Sequence, residues 1–461
     1  MKTMDEIIAF CKRRGFIYQG SEIYGGEAGL YDFGPYGVEL LNNIKKAWWR
    51  SNVQLKSNYV GLDSAMFKNP KTWVASGHVG GFADPLSECK NCHTRIRVDK
   101  ELAKINVAAD EKMSEKELQE IFDAHKSQIK CPSCGEKTWT EPKMFNLLVK
   151  SNLGDFTEQN DAPVYLPGEA CQGIYLNYKN IVDTCRVKVP FGVAQIGKAF
   201  RNEISPRNFL FRCREFEQAD TQYFVRPHEN EEPYQKIKQE RMDWYVGLGV
   251  NPENLRFKQH EHLVFYANDA WDIEYNFPSY GFDELEGIHD RTDYDLTQHM
   301  KYSGTDLNYT DPGSGEKYIP WILETSVGLG RMFLTFLCDA YTVERAGDGE
   351  RVVLKLDPEL APIKAAVFPL LKNKPELVAK AREIYDMLSQ KMMCEFDDNG
   401  NIGKRYRRQD EIGTPSCVVV DFDTLDETSP NFGTVAVRNR DTMEQVRVKI
   451  DELSEILDRL A

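Results

Sequence analysis

The sequence predicts an α+β chain in which a large antiparallel sheet flanked by helices is interrupted by a small cysteine-bearing insertion and followed by a mixed α/β domain. Three observations predict it. From 143 to about 345, aromatic and β-branched runs separated by Gly, Pro and Asn read as successive strands. Between 86 and 142, two Cys-x-x-Cys pairs, CKNC and CPSC, bracket a charged stretch unlike its surroundings. After about 351, strand and helix alternate through VVLKL, IKAAVFPL, the helical PELVAKAREIYDMLSQ, SCVVVDF and TVAVRNR. A length of 461 residues fits about three domains. The expected boundaries are 1–85 with 143–345 for the main sheet, 86–142 for the insertion and 351–461 for the last domain.

The elements follow in order. Residues 4–14 read as a short amphipathic helix, and the Gly- and aromatic-rich segment from Gly15 to Gly37 as turns around short strands. After Gly34-Pro35, Val38, Leu41, Ile44 and Trp48 recur at helical spacing, a stripe for core or for a dimer contact. In the insertion, Ser114-Glu115-Lys116-Glu117 is a capping box opening a surface helix, KELQEIFDAHK. The charged connector around it offers little apolar surface for a core. GIYLNY, TQYFV and LRFKQH are expected strands, YTVERAGDGER breaks the pattern, and a last helix is expected from about Thr442.

Hydrophobic residues make up 41% and charged residues 28% of the chain, an ordinary globular composition that excludes collagen-like, mucin-like and wholly disordered classes. A net charge of −14 repels polyanions on average, so any nucleic-acid contact requires a local basic patch. No run of eighteen apolar residues and no signal-peptide core is expected. Eleven cysteines, scattered except for the two pairs, fit a reducing compartment, so the expected place is the cytoplasm, without membrane contact.

Four groups of residues carry chemistry. Cys89, Cys92, Cys131 and Cys134 can complete a closed tetrahedral Zn²⁺ shell of structural type, or stand as four separate thiols; His93 adjoins the first pair. Residues 199–224 read as two antiparallel strands joined by a loop at Ser205 to Asn208. They carry Arg201, Arg207, Arg212 and Arg214 with Glu203, Glu215 and Glu217. Such a face is either a solvated, cross-paired surface or a site where guanidinium forks meet phosphate and aromatic rings meet a base. In residues 318–340 a β-rich run ends at Glu324, Ser326 is placed to cap a helix, and Gly328 and Gly330 allow close approach ahead of Arg331. That element is a plain strand-to-helix turn or a phosphate site; no P-loop and no GxGxxG is present. Finally, GKRYRRQDEIG places Lys404, Arg405, Arg407 and Arg408 around Tyr406, either a solvated helix face or a local patch for RNA.

FRNE and RCREF on a hairpin, then YGFDELEGIHDRTDYDL, then a strand-to-helix element ending GLGR resemble motifs 2 and 3 of class II aminoacyl-tRNA synthetases. QGSEIYGG, GPYGVELLNNIKKAWW, NPKTWVASGHVGGFADPL, AQIGKAFRNEISPRNFLFR and GKRYRRQDEIGTPSCVVVDFDTL are similar to stretches of the dimeric glycyl-tRNA synthetase type, from about Ile17 to about Val446. The resemblance implies a six- to seven-stranded antiparallel catalytic sheet, a homodimer and a C-terminal anticodon-binding domain. It also implies glycine, ATP with Mg²⁺, and tRNA(Gly) as partners. Glycine would attack the ATP α-phosphorus to give glycyl-adenylate, and the tRNA 3′-terminal adenosine would then take the glycyl group. On the same resemblance Arg201 would hold the α-phosphate and Glu203 the adenine amino group. Phe216 would stack on adenine, Arg212 and Arg331 would face the β- and γ-phosphates, and Glu284, next to Leu285, would serve Mg²⁺. The implied catalytic residues are Arg201, Glu203 and Arg331. Asn202, Phe211, Cys213, Arg214, Glu215, Gly328, Leu329 and Gly330 complete the implied ATP site.

Glycine recognition would fall to Glu169, Asp220, Glu324 and Ser326, with Arg97, Phe216, Glu217, Gln218, Ala219, Thr325, Val327 and Gly328 around the substrate. Carboxylates would read the ammonium, and crowding would exclude the alanine methyl without an editing domain. Lys404, Arg405, Arg407 and Arg408 would meet tRNA. The chain departs from the family at three places. It has Pro167-Gly168-Glu169-Ala170-Cys171-Gln172-Gly173 for RPETAQG, Asp220 for Glu, and ETSVG for EPSAG. The accessory subunit of mitochondrial DNA polymerase resembles this fold without the chemistry; Arg201, Glu203, Arg212, Glu284, Glu324 and Arg331 favour an enzyme. A zinc-dependent hydrolase is excluded because four cysteines would close the metal shell.

Overall fold

The computed structural model describes residues 2–109, 113–152, 163–204, 206, 208–261, 263, 267–346 and 349–460. Its centre is a seven-stranded sheet. Across it run Leu255–Gln259, Asp269–Phe277, Gly281–Thr292, Trp321–Gly328, Glu215–Val225, Phe191–Phe200 and Tyr59–Leu62. Among the first six each strand is antiparallel to its neighbours, whereas the edge strand Tyr59–Leu62 runs parallel to Phe191–Phe200. Successive side chains alternate between the two faces. One face is sealed by helices Pro35–Trp49, Glu231–Gly247 and Leu329–Ala340, with Leu40, Ile44, Trp48, Met332, Phe333 and Leu337 packed on Ile273, Ile288 and Leu323. The opposite face is apolar only at one end, where helix Gln172–Cys185 packs Ile174 and Tyr178 against Phe191, Phe224 and Ile322. The rest of that face is polar and open.

Several expectations are corrected. GIYLNY lies in the helix Gln172–Cys185; Ile174, Tyr178 and Ile181 are buried at steps of four and three, so helical spacing outweighs β-type composition. In helix Pro35–Trp49 the buried stripe is Leu40, Leu41, Ile44, Ala47 and Trp48, and Val38 is exposed. The Arg-rich hairpin has a longer connection than Ser205 to Asn208: the strands stop at Phe200 and resume at Glu215, with a 3-10 turn at Phe209–Phe211 between them. Ser326 is still within a strand, and Gly328 occupies the cap position of the helix that follows. YTVERAGDGER forms part of a strand pair, Tyr341–Ala346 with Gly349–Leu354. The segment after Thr442 is a strand, Gln445–Lys449, ahead of a helix at Leu453–Leu460.

The insertion does have a core. Cys89, Ile96, Val98, Leu102, Leu118, Phe122, Ile129 and Trp139 are buried together, and the capped helix Glu115–His125 contributes the inward pair Leu118 and Phe122. Its Ser114–Glu117 capping box is present. The C-terminal sheet has five strands: Cys394–Phe396, Ala365–Pro369, Ser416–Val420, Thr434–Asn439 and Gln445–Lys449. The first three are parallel and the last two antiparallel, with helix Pro375–Ser389 packed on them through Leu377, Ala381, Ile384 and Leu388. Among the described residues no helix is long and apolar enough to cross a membrane.

Candidate active site

Register decides which side chains meet on the open face. Asp220 pairs with Ser326, Ser326 with Gly287, and Gly287 with Asp272, so these four form one row across four strands. Gln222, Glu324 and His289 form the next row. Directly paired residues of antiparallel strands point to the same side. Phe216, Gln218, Asp220, Glu324 and Ser326 therefore share the open face. By the same alternation Glu217, Ala219, Thr325 and Val327 turn away from it, contrary to the expected substrate set. Ala219 and Val327 enter the core, Thr325 bonds Thr221 at 2.7 Å, and Glu217 pairs with Lys45 at 2.7 Å. Leu285 and Leu329, expected at ATP, are likewise core residues.

A cavity of about 110 Å³ brings together Arg201, Glu203, Phe211, Arg212, Cys213, Phe216, Gln218, Glu284, Ser326, Gly328, Gly330 and Arg331. Arg201 donates Nε to the Gly168 carbonyl at 3.1 Å, and its guanidinium lies between the rings of Phe82 and Phe216, 5.3 and 5.4 Å from their centroids. Arg331 is aimed by Phe211: Nε donates to the Phe211 carbonyl at 3.1 Å, and the guanidinium sits 4.4 Å over the Phe211 ring. It then reaches Glu284 at 2.8 Å, and its charge holds that carboxyl below the usual carboxylate range. Arg212 stands 3.7 Å from the buried Glu203. Burial pushes the Cys213 thiol up to about 12, which makes it a packing group rather than a nucleophile.

Four expected residues do not line this cavity. Arg214 is a fastening, donating to the Glu203 carbonyl at 2.9 Å and to Glu27 at 2.9 Å; Glu215 pairs with Lys198 at the surface. Asn202 is exposed and engages Leu147 through its backbone. Arg97 is held by Asp84 at 2.7 Å and Asp99 at 2.6 Å, beside an adjoining cavity that shares Glu203 and Arg212. Arg207 and Ser205 lie outside the described residues.

Beyond Ser326 the open face becomes a nest of buried carboxylates. Burial alone would raise Glu324, but Arg291 at 3.1 Å and His289 at 3.1 Å outweigh it and hold the carboxyl at about 2. Gln222 donates to its other oxygen at 2.8 Å. Glu169 is also kept ionised, well below the usual range, because His78, Arg291 and Gln172 overcome its burial. Asp220 differs. It is fully buried, neither oxygen has a well-aligned hydrogen bond although Ser326 stands beside it, and burial beside Glu324 pushes its pKa well up. An ionised carboxylate held without a partner is unfavourable, and an incoming cation relieves it.

Arg291, His289, His78 and Gln222 were not foreseen as parts of this network. Arg291 and His289 are legible in ELEGIHDRTDYDL once the strand alternation is applied to it. His78 and Gln222 carry no local signal, because each arrives through tertiary packing.

The four cysteine sulfurs lie within 4.8 Å of one another, with Cys89 and Cys134 at 3.7 Å and Cys92 and Cys131 at 3.4 Å. Each pair closes a tight turn, through His93 N–H to the Cys89 carbonyl at 2.9 Å and Gly135 N–H to the Cys131 carbonyl at 2.9 Å. Four thiols so gathered fit a tetrahedral ion. His93 instead pairs with Glu88 at 2.8 Å and stays outside the cluster.

The cationic run at 404–408 forms a helix, Ile402–Ile412, but not a single patch. Arg405 is 1% exposed and caps the carbonyls of Pro369, Asp398 and Gly400, so it is a structural residue and not a surface contact. Arg408 is paired with Asp397 at 2.9 Å, which leaves Lys404 and Arg407 as the exposed cations of that face.

An antiparallel sheet carrying arginines on its inter-strand loop and at the following strand-to-helix turn is the arrangement of a class II tRNA synthetase. The sequence agrees: the tRNA synthetase class II core domain family (G, H, P, S and T) matches residues 155–401, and the anticodon binding domain family matches residues 364–460. The chain is 50% identical to the glycine–tRNA ligase of Clostridium acetobutylicum over 99% of its length and 98% of the relative's. It is 50% identical to that of Acetivibrio thermocellus over 98% and 97%, and 48% to that of Caldanaerobacter subterraneus subsp. tengcongensis over 99% and 98%. The chain belongs to the glycine–tRNA ligase family.

Proposed function

We infer that this chain is an ATP-dependent ligase that activates glycine as glycyl-adenylate and transfers the glycyl group to the 3′-terminal adenosine of tRNA(Gly). The observation that carries the reading is the arginine-lined cavity whose Ser326 pairs across the strands with Asp220 and whose Arg201 is bonded to Gly168, next to Glu169. A candidate phosphate site therefore adjoins a candidate ammonium site. Arg201 stands at their junction and would neutralise the α-phosphate as the glycine carboxylate attacks; pyrophosphate would leave toward Arg212 and Arg331. Phe216 offers a face for the adenine and Glu203 an acceptor for its amino group. Glu284 would hold Mg²⁺, which supplies charge on the departing phosphates. In the second step the terminal ribose hydroxyl attacks the glycyl carbonyl and AMP leaves. The decisive experiment is ATP–pyrophosphate exchange with each amino acid in turn, without tRNA. Exchange with glycine alone is expected; no exchange with any amino acid by folded protein that still binds nucleic acid would make it a binding module.

Asp220 gives this reading a signature. Binding of the ammonium selects the ionised carboxylate, so the KM for glycine falls as pH rises through the raised Asp220 pKa. In Asp220→Asn that dependence flattens and KM increases about tenfold or more. Stability moves the other way. A carboxyl whose pKa is higher folded than unfolded destabilises the fold above about pH 4, where the unfolded chain ionises. Asp220→Asn should thus be more stable at pH 7.5, by about 1–3 kcal/mol, and equal to the parent near pH 4. Urea midpoints at the two pH values test this, and a variant less stable at pH 7.5 would refute it.

The reading includes three units, 1–85 with 143–345, 86–142 and 351–461, supported by the distinct sheet of each, although the small sheet reaches from Ala83 to Asn146 and Leu354, Leu356, Leu360, Ile363 and Ile412 pack into the main core. It includes a structural Zn²⁺ on Cys89, Cys92, Cys131 and Cys134, supported by the convergence of their sulfurs. Replacing Cys89 and Cys92 by Ser should lower bound zinc by about one ion per chain and loosen the insertion; unchanged metal content would dismiss the knuckle. A homodimer is supported by Val38, an apolar side chain left exposed on the helix Pro35–Trp49, and a cytoplasmic site by the eleven unpaired cysteines. Lys404 and Arg407 are the cations available for tRNA.

A further inference from the structure

Beside the carboxylate nest, and joined to it through His289, the open face carries a second set of metal-ligating side chains to which the reaction above assigns no metal. His260 follows the edge strand Leu255–Gln259, Asp272 stands in the neighbouring strand, and His289 in the one after. Their ligand atoms all lie within 4.8 Å of one another. Three adjacent strands thus bring one donor each to a single point.

Three features separate this cluster from a surface ion pair. Nε2 of His260 is buried 2.9 Å from Asp272 Oδ2 in a contact whose geometry falls short of an aligned hydrogen bond. Two polar atoms that are close but not aligned on each other suit ligands converging on a third centre, and buried polar nitrogens are seldom left unpaired. Next, His289 engages Glu324 through Nδ1 at 3.1 Å, which leaves Nε2 as the ligand atom. A carboxylate on one ring nitrogen, fixing the tautomer and raising the basicity of the other, is the arrangement that orients metal-bound imidazole. Lastly, Gly287 pairs with Asp272 across the strands, and a Cβ there would stand 3.0 Å from His289 Cε1, 3.2 Å from Nε2 and 3.7 Å from Asp272 Oδ1. The missing side chain leaves the space between the donors clear.

We propose that His260, Asp272 and His289 bind a divalent transition-metal ion, zinc being the best match, with the fourth position open to water. Two imidazoles and one carboxylate form a donor set of the open zinc type, whereas Mg²⁺ and Ca²⁺ favour oxygen alone. The site is separate in residues and in donor chemistry from the four cysteines. Its occupancy would lock the His289 ring as a donor to Glu324 and so tune the KM for glycine; that consequence rests on the function proposed above, whereas the metal site does not.

The test is a metal titration of the stripped full chain without glycine, ATP or tRNA, so its outcome is independent of the proposed reaction. Two Co²⁺ ions per chain are expected. One gives intense thiolate charge-transfer absorption, and the other gives weak ligand-field bands without it. Zn²⁺ should displace both. The weak-band ion should persist in Cys89→Ser/Cys92→Ser and be lost in His260→Gln and in His289→Gln, each with the thiolate absorption intact. The more exposed His260 provides a variant that folds even if His289→Gln does not. The absence of any weak-band ion, or a weak-band ion unchanged in both histidine variants, overturns the site.

Discussion

Arg201→Ala lowers glycine-dependent ATP–pyrophosphate exchange by about 10²–10³-fold or more, while the thermal unfolding midpoint changes little. The geometry gives the reason. Arg201 is the cation at which the phosphate cavity and the carboxylate nest meet, and its Nε bond to the Gly168 carbonyl directs the fork into that junction. A preorganised donor at the point where charge develops acts on the transition state more than on bound ATP, so kcat falls while the KM for ATP moves less. Arg201→Lys should recover only a small part. Lysine keeps the charge but loses the planar fork and its packing between Phe82 and Phe216. Normal exchange by the alanine variant would remove Arg201 from the phosphate site.

How much of this was legible in the sequence depended on the range of the interactions involved. The order of sheet, insertion and α/β domain was readable, because composition and turn residues report on local structure. Alternation on strands was readable in principle but was not applied to 217–220 and 324–327, so Glu217, Ala219, Thr325 and Val327 were expected at the substrate although period two sends them to the other face. GIYLNY reads as a strand because its aromatic and β-branched content suits one, while its spacing places Ile174 and Tyr178 on one helical face. Arg405 looked like a surface cation from its neighbours alone. Only the fold brings the carbonyls of Pro369, Asp398 and Gly400 around it and buries it. His78 and Gln222 are positioned across the fold, and no local pattern encodes that.

Arg291→Leu is the second large effect expected, and it separates charge from packing. Arg291 is buried and shared: it donates to Asp295 at 2.8 and 3.1 Å and to Glu324 at 3.1 and 3.2 Å, with Glu169 also inside its field. Removing it leaves Glu324 and Asp295 as buried carboxylates without their cation, a loss of about 3–5 kcal/mol for a broken buried pair. The sign with pH follows from linkage. Glu324 is held at about 2 in the folded parent, below the unfolded value of about 4.3. It therefore stabilises the parent above about pH 4.3, and that contribution fades as pH falls toward 2. In the variant its folded pKa rises above the unfolded one, so destabilisation develops above about pH 4 and is largest at neutral pH. The gap in urea midpoint between parent and variant should be wide at pH 7.5, narrower at pH 4.5 where the variant's penalty is lost, and narrower still toward pH 2–3 where the parent's own gain fades. Glycine activation should weaken along with it, because a protonated Glu324 no longer attracts an ammonium group. Asp295→Asn, which keeps the Arg291 bonds to Glu324, should show a much smaller gap and retain exchange. A gap of equal width at pH 7.5 and pH 4.5 would mean that Arg291 acts by filling space between Tyr175 and the sheet, and the electrostatic account of the pocket would have to be abandoned.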